Sequence, residues 1–274
     1  MRNARSTAPA QHAAAQPLPD PSAPLVAVYA VLARRAAAGD AAAASRLYRD
    51  VQRCAEARQQ ARVITAIARN VPDLAGESAA VVMRGHEAEV HMLGDMRAFV
   101  NRSAGLCSGA TRVQLDSLIP VMFTAAQLGD VAAINCYAGS GFNMLHGLID
   151  HPEWLRDMRS APQMVEYALR QGDWVAVELM HHAYAGVFRD TAAGQAVQPD
   201  RAMDYRYLRL ERLGASGEFA QKLDRMLADA TATLTRQQIA DGDAWANDAY
   251  TAYFGGSSSN EVANGANICG KIED

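Results

Sequence analysis

A five-residue pattern, Gly-Asp-x-x-Ala, recurs four times along this chain and constrains its fold more than any other feature. It reads Gly39-Asp40-Ala41-Ala42-Ala43, Gly129-Asp130-Val131-Ala132-Ala133, Gly172-Asp173-Trp174-Val175-Ala176 and Gly242-Asp243-Ala244-Trp245-Ala246. Eight positions past each glycine stands a large residue: Leu47, Tyr137, Met180 or Tyr250. Glycine reaches the left-handed conformation that closes a helix. An aspartate directly after it caps the next helix, accepting orphan amides and opposing the helix dipole with its charge. The small alanine lets the second helix approach the first, and the large residue faces the same groove. The pattern predicts tight helix–helix corners, repeated along the chain.

Composition points the same way. Half of the residues are apolar and only 7% are aromatic, and alanine runs such as Ala36-Ala37-Ala38 and Ala41 to Ala44 are frequent. Alanine is the best helix former, whereas strands draw on β-branched and aromatic residues. An all-α fold is expected. Gly129 and Gly172 are 43 residues apart, and Gly172 and Gly214, a further candidate corner, are 42 apart. Gly39 precedes Gly129 by 90 residues, with Gly85 near the midpoint as another candidate. A period of about 40 residues suits stacked two-helix units of an α-solenoid.

Helical periodicity places the elements. Leu25 to Ala38 and Ala41 to Ala57 make a first hairpin, and Glu77 to Val100 a further helix. Leu118, Ile119, Met122, Phe123 and Ala126 form an apolar stripe behind Ser117, a candidate cap. Trp174, Val177, His181 and Tyr184 share one face of a later helix. Tyr205, Leu208 and Arg212 mark another, Phe219, Leu223 and Met226 the next, and Asp243 to Phe254 the last. Residues 1–24, rich in Ala, Pro and Gln, read as a disordered tether, residues 25–254 as one helical-repeat domain, and residues 255–274 as a flexible tail.

One segment resembles a known family. Ala168-x-x-x-Gly172-Asp173-x-x-Ala176, then Tyr184 with Gly186-Val187, then Asp200-x-Ala202-x-x-Tyr205 running to Leu213-Gly214 resemble the Sel-one-like repeats, a branch of the tetratricopeptide-like solenoids. Phe123 to Tyr137 carries the first half of that motif; the usual Lys-Ala pair reads Arg201-Ala202, and the loop from Arg189 to Pro199 is long. About a third of the chain is covered. The resemblance implies a right-handed α-solenoid of antiparallel hairpins. It also implies a non-enzymatic adaptor that binds a protein or peptide on its concave face, in many members within the bacterial envelope and in some to neutralise a toxin. Trp174, Tyr184, Tyr205 and Tyr207, with His181 on the same stripe, are the candidate partner-binding residues.

Charge and motifs narrow the classes. A net charge of −4 and a pI near 6.0 leave no concentrated basic face for nucleic acid or an anionic membrane. The longest apolar run, Leu25 to Ala33, falls short of the ~18 residues that span a bilayer. No phosphate loop or nucleophile elbow appears, so no catalytic, cofactor-binding or metal-binding residue is assigned and no cofactor is expected. The densest polar cluster is Asp173, Glu178, His181 and His182, which supplies the alternative: a helical-fold enzyme working through His181, His182 and Glu178.

The four cysteines, Cys54, Cys107, Cys136 and Cys269, lack zinc-site spacing. Cys136 reads as a small buried hydrophobe and Cys269 as part of the tail. Cys54, at the end of the second helix, and Cys107, in the turn Gly105 to Gly109, stand where two helix ends can meet. A Cys54–Cys107 disulfide would contribute about 3–4 kcal/mol and place the chain in an oxidising compartment, the periplasm or envelope. Four free thiols in a cytoplasmic protein is the alternative.

Overall fold

A computed structural model describes residues 17–70, 87–139, 158–263 and 268–269. Among them the regular structure is helical and no strand is present. The α-helices are α1 (Leu25–Ala37), α2 (Ala41–Asn70), α3 (Glu87–Cys107), α4 (Arg112–Asp116), α5 (Leu118–Gln127) and α6 (Val131–Gly139). They continue as α7 (Ala161–Arg170), α8 (Trp174–Ala185), α9 (Ala192–Ala196), α10 (Arg201–Gly214), α11 (Gly217–Thr231) and α12 (Arg236–Ala249). A π-helical turn, Tyr250–Phe254, extends α12, and a 3-10 turn occupies Ser259–Val262.

Three of the four patterned segments are corners. Gly39, Gly129 and Gly172 adopt φ of +88°, +89° and +82°. The following aspartate amides reach back to the carbonyls of Arg35, Ala125 and Ala168 at 3.0, 3.0 and 3.3 Å, closing each helix. Oδ1 of Asp40, Asp130 and Asp173 accepts from the amides of Ala43, Ala133 and Ala176 at 3.0, 2.8 and 2.7 Å. These alanines are the last residues of the pattern, so one position supplies both the capped amide and the small side chain. Leu47, Tyr137 and Met180 are buried as the spacing predicts. Hairpins α1–α2, α5–α6 and α7–α8 result, and each corner aspartate after the first is tied to the hairpin before it. Ser45 on α2 donates to Asp130, and Asn135 on α6 donates to Asp173 at 2.9 Å.

The fourth segment is not a corner. A capping box of Thr235 and Gln238 starts α12 upstream, so Gly242 and Asp243 lie inside a continuous helix. A Cβ on Gly242 would stand 2.7 Å from Cδ1 of Tyr205, and the glycine lets α12 cross closely over α10. Gly214 is also not a turn: it ends α10 against the Trp174 ring, and the positive φ falls at Gly217. Gly85, and the expected helix start at Glu77, lie outside the described residues.

Other expectations shift at element ends. α2 runs on to Asn70, a length of ~45 Å over 30 residues, and α3 continues through Gly105 to Cys107. Ser117 makes no side-chain cap; its hydroxyl donates to the Gln114 carbonyl and accepts from Tyr29. Residues 17–24 of the expected tether pack on the first hairpin, where Arg35 and Arg46 donate to the carbonyls of Pro17 and Pro21 at 2.9 and 3.0 Å.

Cys54 and Cys107 stand at disulfide distance, with Cα atoms 5.3 Å apart, fastening α2 to the end of α3. Cys136 and Cys269 form a second such pair, Cα atoms 4.1 Å apart. Cys136 is buried in the core as expected, and its pairing with Cys269 corrects the reading of Cys269 as part of a loose tail. Residues 255–263 are likewise folded down: Ser259 and Val262 are buried against α8 and α10. Helical periodicity cannot register such a segment, because it packs through irregular backbone.

Candidate functional site

A cleft of about 420 Å³ opens between α7, α8 and α10. Gln163, Glu166, Tyr167 and Arg170 recur at helical spacing on α7 and line one wall; Met180 and Tyr184 do the same on α8. Arg206 and Tyr207 of α10 form the floor. Rings of Tyr184 and Tyr207 stack with centroids 5.8 Å apart and planes 14° apart. The Arg206 guanidinium lies over Tyr207 at 4.9 Å and over Trp245 at 4.4 Å, and its Nη2 donates to the Tyr207 hydroxyl at 3.2 Å. Glu166 accepts from Arg170 at 3.3 Å. Burial raises the Tyr207 hydroxyl pKa to about 12, against the lowering pull of Arg206, so it stays a neutral donor. Tyr167, 46% exposed, stands at the mouth.

Of the five candidate partner-binding residues, Tyr184 and Tyr207 meet in this cleft and the other three do not. Trp174 is 1% exposed, packed on Phe254 with centroids 4.0 Å apart and donating Nε1–H to Ser257 at 3.1 Å. Tyr205 is buried against Gly242 and donates to Asp243 at 2.9 Å. His181 is buried, its Nδ1 2.6 Å from Oδ1 of Asp204. Arg206, which holds the cleft floor, was missed by sequence reasoning. The only signal for it was its place next to Tyr207 on α10.

The polar cluster named from sequence is divided. Glu178 and His182 share a helix face as their spacing requires, at 3.8 Å, while Asp173 is turned away into its cap. The His182 ring packs between His181 and Phe188, with centroid distances of 4.7 and 4.6 Å. Asp204 orients His181 as a carboxylate orients an imidazole in a proton-transfer site. Across from Glu178, Glu211 is 3% exposed, and burial followed by the Glu178 charge raises its pKa to about 8 despite Lys222. Glu211 therefore holds a proton at neutral pH. Its position three residues past Leu208, on the inward stripe of α10, was the signal for its burial.

Among the described residues no group of three or more His, Cys, Asp or Glu is arranged to hold a metal ion, and no helix is long and apolar enough to cross a membrane. Comparison with protein-family models, with curated proteins and with solved structures gives no match.

Proposed function

We propose that this chain is a non-enzymatic scaffold of the Sel-one-like type, a right-handed α-solenoid that captures an extended segment of a partner protein. The observation that carries the reading is the cleft itself. Tyr184 and Tyr207 offer stacked aromatic faces, Arg206 is held rigid between two rings, and Arg170 and Glu166 stand beside them as polar contacts. Aromatic and arginine side chains that are already ordered lose little entropy on binding and dominate interfaces. The solenoid reading draws support from the tie between successive hairpins. In each case the residue six positions past the corner glycine, Ser45 or Asn135, donates to the aspartate of the next corner. Two cysteine pairs at disulfide distance support an oxidising compartment such as the bacterial envelope, where a toxin to be neutralised is one kind of partner.

The test is a photo-crosslinking residue at Tyr167 in the full-length protein, expressed in its own host. A discrete crosslinked partner that disappears in Tyr184→Ser and in Arg170→Glu supports the reading. An absence of crosslinks, or crosslinks indifferent to both substitutions, overturns it. The 2.6 Å contact of His181 with Asp204 favours a second reading, an enzyme using His181, His182 and Glu178. That reading requires a turnover activity that His181→Asn abolishes while the fold persists.

A further inference from the structure

Arg206, Arg209 and Arg212 recur along α10 and meet different partners. Arg209 holds Asp243 at 2.9 Å and Arg212 holds Asp224 at 2.6 Å. Arg206 makes no ion pair among the described residues; its guanidinium lies instead over the Tyr207 and Trp245 rings. A guanidinium carries five N–H donors in a planar fork. Here Nη2 reaches the Tyr207 hydroxyl at 3.2 Å, and Nε is buried with no hydrogen-bond partner. Stacking on aromatic faces fixes the plane of the fork without using its donors.

Two carboxylates act on the Tyr184 side of the cleft, and both are engaged. Glu166 accepts from Arg170 at 3.3 Å and stands 3.5 Å from the Tyr207 hydroxyl. Asp200 caps α10, its Oδ1 accepting from the amides of Ala202 and Met203 at 2.9 and 3.1 Å. Among the described residues, Arg206 is left as the uncompensated charge of a cleft of about 420 Å³. A cation between aromatic walls attracts an anion and holds it by charge-assisted hydrogen bonds. The planar fork matches a carboxylate. A phosphate suits the cleft less, because its second charge would face Glu166 while Arg170 is already paired. Tyr184 and the exposed Tyr167 add planar surface beside the charge.

We infer, on the reading of the cleft as a partner-binding site, that Arg206 determines its specificity by receiving the carboxylate of an aspartate or glutamate side chain in the captured segment. A segment that passes through in extended form presents side chains there rather than its terminus. Alternate side chains of an extended chain share one face, so an aromatic or proline residue at the next position but one lies on Tyr184 and Tyr167.

The experiment selects phage-displayed random peptides on the full-length protein. Wild type should enrich Asp or Glu with an aromatic or proline residue at the alternate position. An end-blocked synthetic copy of the commonest peptide, followed by fluorescence anisotropy, should lose about tenfold or more in affinity when its acid becomes the amide. In Arg206→Gln the same change should cost less than about twofold, because the two groups act as one pair. Arg206→Lys, which keeps the charge and loses the fork, should fall between, and it carries the comparison if Arg206→Gln does not fold. A phosphoserine copy should bind more weakly than the acid. Enrichment without an acidic residue, tighter binding of the phosphoserine copy, or an amide penalty undiminished in the Arg206 variants overturns the proposal and leaves the cleft a binding site. Failure to enrich any peptide that Tyr184→Ser releases overturns the partner-binding reading as well.

Discussion

At Gly172 the chain turns back on itself, whereas at Gly242 the same five-residue pattern lies inside a continuous helix. Asp173 caps α8 through the Ala176 amide; Asp243 instead receives Tyr205 and Arg209, each at 2.9 Å, from the helix it crosses. Glycine serves conformation at the first site and closeness at the second. The difference lies upstream. Gly172 follows α7 directly, and the carbonyls of its last turn need the left-handed residue. Before Gly242, the Thr235 capping box has already satisfied the amides of a helix start. A short motif acquires its meaning from the helix that precedes it.

The largest expected effect separates the α8–α10 layer from the first corner by pH. Glu211 has its folded pKa raised to about 8 from an ordinary 4.5, so the stability it supports is complete below about pH 4.5 and is lost as pH rises through about 8. Asp40 is held below its ordinary value by the Ala43 amide and Arg35, so its contribution is lost as pH falls. Thermal melts from pH 5 to pH 9 should show a declining Tm that Glu211→Gln flattens. A Tm profile identical in both proteins would remove Glu211 from the account.

Next in size is Gly172→Ala. An L residue in the left-handed region costs ~1–2 kcal/mol, and forcing Cβ against the Tyr253 carbonyl adds ~1–3 kcal/mol. A total near 3 kcal/mol in urea unfolding is expected, against about 1 kcal/mol for Gly39→Ala, where no atom lies within 4 Å of the new Cβ. Equal losses at the two corners would mean that the packing of Tyr253 over the corner contributes nothing.

Asp173→Ala follows, at about 2 kcal/mol: a lost cap costs ~1 kcal/mol, and the buried Asn135 amide loses its acceptor. Asp40→Ala, whose carboxylate is solvated, should cost about 1 kcal/mol in the same denaturation. The smallest effect is Gly242→Ala. Its helix propensity gain of ~1 kcal/mol opposes the crowding of Tyr205, leaving about 1 kcal/mol of destabilisation. A stabilised Gly242→Ala would show that α12 has room to withdraw from α10 and would end the close-crossing explanation.

Several features were legible from residues alone. Helix formation, the corners at Gly39, Gly129 and Gly172 and their capping aspartates follow from local rules acting within a turn or two of chain, whereas the Cys54–Cys107 approach, across 53 residues, was legible only because both cysteines stand near helix ends. Tyr184 and Tyr207 were legible as aromatics on inward stripes, but their meeting was not, since it depends on how α8 and α10 cross. Trp174 illustrates the limit: sequence places it on a packing face and cannot tell that Phe254 and Ser257, some eighty residues on, close over it. Separation along the chain likewise hides the pairing of Cys136 with Cys269, 133 residues apart, and the proton that burial and Glu178 leave on Glu211.

The sequence by itself determined that this protein is helical and where three of its hairpins turn, because backbone conformation and capping are settled by neighbours along the chain. Only the tertiary structure decided what Gly242 is for, which aromatics share a cleft and where the last segment lies. Those outcomes depend on the side chains that a distant helix brings within a few ångströms, and short-range periodicity carries no record of them.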